Sequence, residues 1–201
     1  MGDPKFPRKK YDRPSHPWEG ERIKAENEIL KKYGLKNKRE LWRSQSLLAH
    51  FRQRARILQA LIRAGNVQAE REREQLMRRL GRTGILPMEG ATLDDVLALN
   101  VEAVLARRLQ TLVYVKGLAN TQRQGRQFIV HGHMSVAGRR MDVPGYLVRR
   151  DQEDQITYDP RSPVANELHP ARPGAPAPVS VPGPLEVPAD EPDLSPGGDP
   201  A

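Results

Sequence analysis

Cysteine is absent from the 201-residue chain, which excludes disulfides and cysteine-ligated zinc. Long apolar runs are also missing, since no stretch approaches the roughly 20 residues that a membrane-spanning helix requires. The first ten residues, MGDPKFPRKK, lack the apolar segment of a signal peptide, so we expect a cytoplasmic protein with no membrane partner. Only 37% of the residues are hydrophobic and only 5% are aromatic, so we expect part of the chain to become ordered on binding a partner.

Sequence signatures of catalysis are missing as well. The chain has no glycine-rich phosphate loop, no GxGxxG fingerprint and no serine nucleophile framed by glycines. The adjacent carboxylates Asp94 and Asp95 fit the N-terminus of a helix. His131 and His133 could contribute to a metal site, but no neighbouring Cys, Asp or Glu completes one. We therefore predict that the protein is not an enzyme and binds neither a cofactor nor a metal.

Charge is distributed very unevenly along the chain. Residues 1–150 contain 31 basic and 15 acidic residues, whereas residues 151–201 contain 2 basic and 10 acidic residues. Between Leu105 and Met141 there is no Asp or Glu at all, although a surface built only for solubility normally mixes both signs. A surface this basic predicts a polyanionic partner. Since no segment is suited to membrane insertion, that partner is expected to be a nucleic acid.

Prolines, glycines and helix-capping patterns divide the chain into four parts. Residues 1–18 are rich in proline and basic residues and are expected to form an extended N-terminal arm, followed by a helical subdomain over 19–91. Residues 92–160 form a second unit of helices and short strands, with its core at 107–148. Residues 160–201 contain 12 of the 18 prolines, so the acidic tail over 161–201 is expected to be disordered. The predicted fold class is α+β.

Apolar spacing and turn residues predict the elements of these units. The helical subdomain is expected to contain helices over about 19–33, 40–64 and 67–80. In the second unit, one helix is expected over 101–116 and another from Thr121 to Gly132. Short strands are predicted at 134–136, 139–141, 146–148 and 156–158, and a two-residue turn joins the first two.

Basic side chains are concentrated on consecutive elements of the second unit. Guanidinium groups suit phosphate because they donate two parallel hydrogen bonds. Arg123, Arg126 and Gln127 are expected to point away from the buried face of their helix. RNA is favoured over DNA because no long recognition helix or dimer seam is visible. His131 and His133 either contact RNA or pack at a helix end. The predicted RNA-binding residues of this unit are Arg107, Arg108, Lys116, Arg123, Arg126, Gln127, His131, His133, Arg139 and Arg140.

The second unit resembles the RNA-binding module named after ribosomal protein four of the small subunit. The resemblance is carried by residues 107–148, RRLQTLVYVKGLANTQRQGRQFIVHGHMSVAGRRMDVPGYLV. The pattern is a leucine-rich helix, G-x-A-x-T, R-Q-x-I-x-x-G-H, a strand, a glycine turn and a proline. The matching positions are Leu109, Leu112, Gly117, Ala119, Thr121, Arg126, Gln127, Ile129, Gly132, His133, Gly138 and Pro144. Residues 7–56 and the segment EREREQLMRRL are similar to the N-terminal region of the archaeal form, so the resemblance covers roughly residues 1–160.

This resemblance implies a structural constituent of the small ribosomal subunit. It implies a primary binder of small-subunit ribosomal RNA that nucleates assembly of the 5′ region and contributes to translational accuracy near the point where messenger RNA enters. Neighbouring small-subunit ribosomal proteins and messenger RNA are the other implied partners. The N-terminal half adds Lys9, Lys10, Arg52 and Arg56 to the predicted RNA-binding residues. Gly125 is one departure from the family pattern, which more often has alanine there.

Two other functions are compatible with the same module. A ribosome-biogenesis factor or RNA chaperone would use it transiently, although the extensive N-terminal match argues against that function. An RNA-modifying enzyme would carry it as an attached binding domain. Residues 1–91 argue against that alternative, because they are basic, are expected to be helical and contain no set of candidate catalytic residues.

Overall fold

The structure is a computed structural model that describes residues 9–167 and 169–173. Its fold is α+β, as predicted, with helices in the N-terminal part and a small antiparallel sheet in the C-terminal part. The first eight residues of the predicted arm and residues 174–201 of the predicted tail lie outside the described residues. No helix in the described ranges is both long and apolar enough to cross a membrane.

The N-terminal unit is built from helices whose ends are set by local capping. Side-chain oxygens of Asn37, Asn66 and Thr92 accept hydrogen bonds from the first turns of the helices that follow them, and Thr92 forms a full capping box. Gly34 and Gly65 follow the first two helices with φ of 57° and 78°, a left-handed conformation that ends a helix. The helices are α1 Gly20–Lys32, α2 Lys38–Arg63, α3 Val67–Arg82, α4 Leu93–Ala98 and α5 Val101–Ala106.

The long helix α2 is the centre of the N-terminal core. Its buried Phe51 and Leu58 belong to one apolar cluster with Leu80 of α3, Val96 of α4 and Val104 of α5. Helices α4 and α5 contain only six residues each, so neither is long enough to make a core of its own. By packing, the N-terminal unit therefore extends through α5, beyond the boundary expected near residue 92.

The C-terminal unit combines a helical hairpin with a three-stranded sheet. The strand over 134–136 lies in the middle of the sheet and pairs antiparallel with the strands over 139–141 and 156–158. Buried Leu109, Val113, Phe128, Ile129 and Met134 form much of the core between the helices and the sheet. The elements are α6 Leu109–Val115, α7 Gln122–Val130, β1 Met134–Val136, β2 Arg139–Met141, α8 Arg150–Glu153 and β3 Ile156–Tyr158, followed by a short 3-10 helix at Pro163–Ala165.

Two sequence predictions fail where the units meet. The expected helix over 101–116 is interrupted at Arg107 and Arg108, and the expected strand over 146–148 is only an isolated bridge between Arg108 and Leu147. The amide of Leu109 donates to the carbonyl of Tyr146 at 2.8 Å, which holds the chain extended there. This contact is distant in sequence, so helical periodicity could not predict it. The break separates α5, in the N-terminal core, from α6, in the C-terminal core.

The beginning of the predicted disordered tail is ordered. The ring of His133 lies 2.8 Å from the hydroxyl of Ser162, and Gln124 Nε2 donates to the carbonyl of Ala171 at 2.8 Å. The guanidinium of Arg172 lies 4.7 Å from the centre of the Tyr158 ring. The C-terminal unit therefore continues to residue 173, because this segment covers apolar and polar groups at one side of the module.

Candidate nucleic-acid interface

A strip of exposed polar and basic side chains follows α7 and continues onto β2. Arg123, Gln127 and His131 are spaced four residues apart, so they lie on one face of α7 and its C-terminal end, and all three are exposed. Arg139 and Arg140 of β2 are also exposed, and Arg140 Nη2 donates to the carbonyl of His131 at 3.3 Å. We call these five residues the rim.

The rim is suited to binding phosphate groups. Among the residues that the structure describes, none of its three arginines forms an ion pair with an acidic side chain. Each guanidinium therefore keeps most of its five donors for a ligand, and two of them match the oxygens of a phosphate. Gln127 offers both a donor and an acceptor beside these cations. This combination can hold a nucleic-acid backbone and contact a sugar hydroxyl or a base edge.

Other predicted RNA-binding arginines are used inside the protein. Arg108 Nη2 donates to Glu40 Oε2 at 2.7 Å, and the Arg108 side chain is only 6% exposed. Arg126 donates to Glu40 Oε1 at 2.6 Å and to Oε2 at 3.0 Å. Arg126 therefore does not point outwards as expected, but towards α2. One carboxylate of the N-terminal unit thus binds two arginines of the C-terminal unit.

Gln110 adds a neutral contact to the same junction. Its Nε2 lies 3.1 Å from the carbonyl of Tyr33, 3.0 Å from that of Gly34 and 2.9 Å from that of Gln122. Gln110 is itself fully buried, so these carbonyls satisfy an amide that has no access to water. We call Glu40, Arg108, Gln110 and Arg126 the seam, because together they join the loop after α1 and the start of α2 to α6 and α7.

The carboxylate at the centre of the seam is ionised at neutral pH. Burial by itself raises the pKa of Glu40. Hydrogen bonds and charge from Arg126 and Arg108 outweigh that effect, so the pKa lies below its ordinary value. A buried charge is tolerated only when it is paired. The seam arginines and Glu40 satisfy one another in this way, and this pairing makes the seam a structural element.

Arg107 and Arg52 also make contacts within the protein. Arg107 Nε donates to the carbonyl of Thr83 at 2.8 Å, and its Nη2 forms an ion pair with Glu153 at 2.8 Å. Arg52 Nη2 donates to the carbonyl of Leu99. These contacts tie α2 and the α3–α4 loop to neighbouring elements. The structure therefore assigns stabilising contacts to both residues and leaves a contact with RNA as a prediction.

The remaining predicted residues are spread over several surfaces. Lys116 is half-buried and its Nζ lies 3.5 Å from Asp154, which is fully exposed. Lys10 and Arg56 are exposed, and the Nζ of Lys9 lies 4.9 Å from the centre of the Tyr11 ring. Within the described residues, none of these four side chains forms a hydrogen bond or an ion pair with a rim residue.

His133 fits the packing alternative better than His131 does. Its ring is half-buried, lies edge-on to Phe128 and is hydrogen-bonded to Ser162. Burial lowers the pKa of His133, and the nearby His131, Arg140 and His169 lower it further, so the ring is neutral at neutral pH. Within residues 9–167 and 169–173, no group of three or more His, Cys, Asp or Glu side chains is arranged to bind a metal ion.

Glu40 and Gln110 are site residues that sequence reasoning missed. The only signal for Glu40 is its isolation, since it is the one acidic residue between Glu28 and Glu70. The acid-free stretch from Leu105 to Met141 indicated arginines that are free for RNA. It equally required that any buried arginine there find its partner far away in sequence, and Glu40 is that partner.

Comparison with known proteins agrees with the division seen in the structure. Residues 4–106 match the family described as the ribosomal protein S4/S9 N-terminal domain, and residues 107–156 match the S4 domain. The boundary between these matches coincides with the helix break at Arg107. The chain is 57% identical over 179 residues to small ribosomal subunit protein uS4 of Thermoplasma acidophilum, with 89% of each chain covered.

Two further relatives carry the same name. The uS4 protein of Thermoplasma volcanium is 56% identical over 172 residues, which cover 86% of each chain. The uS4 protein of Methanococcus aeolicus is 55% identical over 172 residues, which cover 86% of this chain and 96% of the relative. These similarities extend through both units, as the resemblance to the archaeal form predicts.

Proposed function

The chain belongs to the uS4 family of small ribosomal subunit proteins, and on that basis we propose that it is a structural constituent of the small ribosomal subunit in the cytoplasm. Its activity is binding, because the family is one of ribosomal proteins rather than of enzymes. The ligand is small-subunit ribosomal RNA. The observation that carries the proposal is the rim, whose exposed arginines have no acidic partner among the described residues.

The rim supplies the RNA-binding surface, and the seam holds that surface in a fixed position relative to the basic N-terminal unit. Arg123, Gln127, His131, Arg139 and Arg140 are the residues proposed to touch RNA. Because the seam joins the two units through buried, ionised groups, their basic surfaces can act on one RNA as a rigid pair. Rigid presentation lowers the entropic cost of binding, which suits a protein that binds early in assembly and orders its RNA.

The finer role follows from the family resemblance. The RNA bound is the 5′ region of small-subunit ribosomal RNA, whose folding the protein nucleates. Neighbouring small-subunit proteins are further partners. Contact near the point where messenger RNA enters would let the protein influence translational accuracy. Of the residues predicted from sequence, Arg107, Arg108, Arg126 and Arg52 have intramolecular partners, so a supporting role is proposed for them.

Binding to a defined RNA tests this proposal. Purified protein is titrated against a transcript of the 5′ region of small-subunit ribosomal RNA and against an unrelated structured RNA of equal length, over a range of salt concentrations. We expect preference for the ribosomal transcript and a log affinity that falls by about 0.7–0.9 per neutralised phosphate for each unit of log salt. Equal binding to both RNAs, or a response independent of salt, would contradict the proposal.

A ribosome-biogenesis factor or RNA chaperone is the alternative. Gradient separation of ribosomal particles distinguishes the two functions. A structural constituent is present in mature small subunits in a one-to-one ratio, whereas a transient factor is confined to precursor particles.

A further inference from the structure

Both tryptophans of the chain line one groove outside the rim and the seam. The groove lies between the N-terminal arm and the starts of α1 and α2, and its volume is about 540 Å³, within the range of ordinary ligand sites. Trp18 stands at its edge and is 91% exposed, more than any other large hydrophobic residue of the described chain. Trp42 is half-buried on its other side. No Asp or Glu is among the lining residues.

One wall of the groove is held rigidly by a buried carboxylate. Glu26 accepts hydrogen bonds from Arg22 at 2.7 Å and from the Trp42 indole at 3.1 Å, and it forms an ion pair with Lys38 at 3.1 Å. Burial raises the pKa of Glu26, but these three partners together hold it below its ordinary value. Trp42 is thereby fixed in place. Arg22 also forms an ion pair with Glu19 at 3.4 Å, so Arg22 and Lys38 together have two acidic partners.

Two further cations of the groove are not neutralised. Arg13 and Arg39 are exposed, and neither forms an ion pair within the described ranges. The groove therefore presents a solvated indole beside two guanidinium groups that lack acidic partners. An aromatic face next to positive charge is the arrangement by which proteins bind single-stranded nucleic acid, with the base stacked on the ring and the phosphate held by arginine.

We propose that this groove binds an unpaired nucleotide of small-subunit ribosomal RNA, with its base stacked on Trp18 and its phosphate bound by Arg13 and Arg39. The inference rests on the proposed function and adds a second RNA contact, distinct from the rim. A paired nucleotide does not fit this chemistry, because its base faces are covered by neighbouring bases. The groove therefore binds a looped-out or terminal nucleotide, while the rim binds the backbone of folded RNA.

Intrinsic fluorescence tests the proposal directly, because both tryptophans lie in the groove. The full chain is titrated with the ribosomal 5′ transcript, with a single-stranded oligoadenylate and with a fully paired RNA hairpin carrying the same number of phosphates. We expect quenching by the transcript and the oligoadenylate but little by the hairpin. Trp18→Phe should remove most of the quenching and keep most of the affinity.

Affinity measurements with matched variants complete the test. Trp18→Ala should weaken binding of the transcript and the oligoadenylate by roughly tenfold. Val67→Ala is the control, since Val67 is 66% exposed and lies outside the groove, and it should have no effect. The double variant Arg13→Ala with Arg39→Ala should lower the salt slope for oligoadenylate by about 0.7, the value for the one single-strand phosphate that both arginines contact.

Several results would overturn the inference while leaving the proposed function intact. One is normal binding of the transcript by Trp18→Ala, and another is equal quenching by the oligoadenylate and the paired hairpin. A third is a change in fluorescence on deletion of residues 174–201 without RNA, since the proline-rich acidic segment would then be the occupant. Conversely, the protein could show no preference for the ribosomal transcript while oligoadenylate still quenches Trp18. That result would contradict the proposed function but support a nucleotide site in the groove.

Discussion

The seam and the rim are built from arginines of the same acid-free stretch, yet they are used in opposite ways. In the seam, Arg108 and Arg126 converge on Glu40 and are largely buried. In the rim, Arg123, Arg139 and Arg140 are exposed and have no acidic partner among the described residues. The seam arginines have an acidic partner within the protein, whereas the rim arginines are left for a ligand.

A cluster of arginines therefore indicates an RNA-binding region but does not identify the residues that bind. A buried guanidinium needs a partner inside the protein, because desolvating an unpaired charge costs several kcal/mol. An exposed one remains hydrated at little cost and can exchange that water for phosphate. Whether an arginine of this stretch is free for RNA therefore depends on whether it is buried against α2. For Arg108 and Arg126, that burial involves Glu40, which is 68 and 86 residues away in sequence.

Removing the charge of Glu40 should produce the largest effect on stability. Glu40→Gln leaves Arg108 and Arg126 partly buried without a counter-charge, so we expect the free energy of unfolding to fall by about 2–4 kcal/mol, near the range for a broken buried pair. Denaturant unfolding at neutral pH measures it. Glu72→Gln is the matched control, since its partner Arg54 is exposed and its loss should cost no more than about 1 kcal/mol.

The same variant also tests whether the seam orients the two units. Removing a negative charge should by itself strengthen binding to RNA. If the seam positions the rim relative to the N-terminal unit, affinity for the ribosomal transcript should fall instead. If the Glu40→Gln protein were as stable as the Glu72→Gln control, the seam would not stabilise the fold, and the distinction between seam and rim would be contradicted.

Substitutions in the rim should affect RNA binding and leave stability unchanged. We expect Arg139→Ala together with Arg140→Ala to weaken binding of the ribosomal transcript by roughly tenfold and to reduce the salt slope by about 1 for each residue. The free energy of unfolding should change by less than about 0.5 kcal/mol, as for most surface substitutions. The matched control is Arg71→Ala with Arg73→Ala, exposed arginines of α3 that alternate with acidic residues. Unfolding of the rim variant at lower denaturant would show that these arginines are structural.

Acid should weaken the seam and leave the rim arginines charged. Because the pKa of folded Glu40 lies below its unfolded value, its contribution to stability is complete above about pH 4.5 and is lost as pH falls through the folded pKa. The stability difference between the native sequence and Glu40→Gln should therefore shrink in acid. Thermal unfolding over a pH series measures it. Glu26 also has a lowered pKa, but it is present in both proteins and cancels in the difference. A pH-independent difference would contradict this account.

The smallest effect is expected at Gly125, in the helix that carries residues of both the seam and the rim. A Cβ there would lie 3.4 Å from the carbonyl of Gln110 and 3.5 Å from Ala119, which are ordinary contacts. Gly125→Ala should therefore stabilise the protein by about 0.5–1 kcal/mol through helix propensity, with RNA affinity unchanged. Gly132→Ala is the contrasting control. It should destabilise, because Gly132 has φ of 72° and a Cβ would collide with the guanidinium of Arg140.

Local patterns were sufficient to predict most of the secondary structure. The placement of Asp94 and Asp95 in the first turn of a helix and the hairpin of β1 and β2 depend on residues close in sequence, and the structure confirms them. The interruption at Arg107 and Arg108 was not predictable in this way. Its cause is hydrogen bonding to residues 144–148, which are about 40 positions away.

In the candidate site, too, local sequence predicted what depends on neighbouring residues but not what depends on distant contacts. Exposure of Arg123 and Gln127 follows from their positions on an amphipathic helix, so sequence placed both on the solvent face. Arg126 occupies the same helix, but the neighbouring unit covers it. The sequence did not indicate the tryptophan groove, because Trp18 and Trp42 are 24 positions apart and line one groove only when the arm folds against α1 and α2.

The family, the α+β class and the location of the basic region follow from the sequence alone, because they depend on composition, local spacing and a motif of contiguous residues. Which arginines remain available to RNA depends on the tertiary structure. Glu40 lies in a different unit from the arginines that it binds, and only the approach of the start of α2 to Arg108 and Arg126 brings them together. An arginine is available to RNA only if its side chain is exposed, and its exposure is set by contacts between segments far apart in the chain.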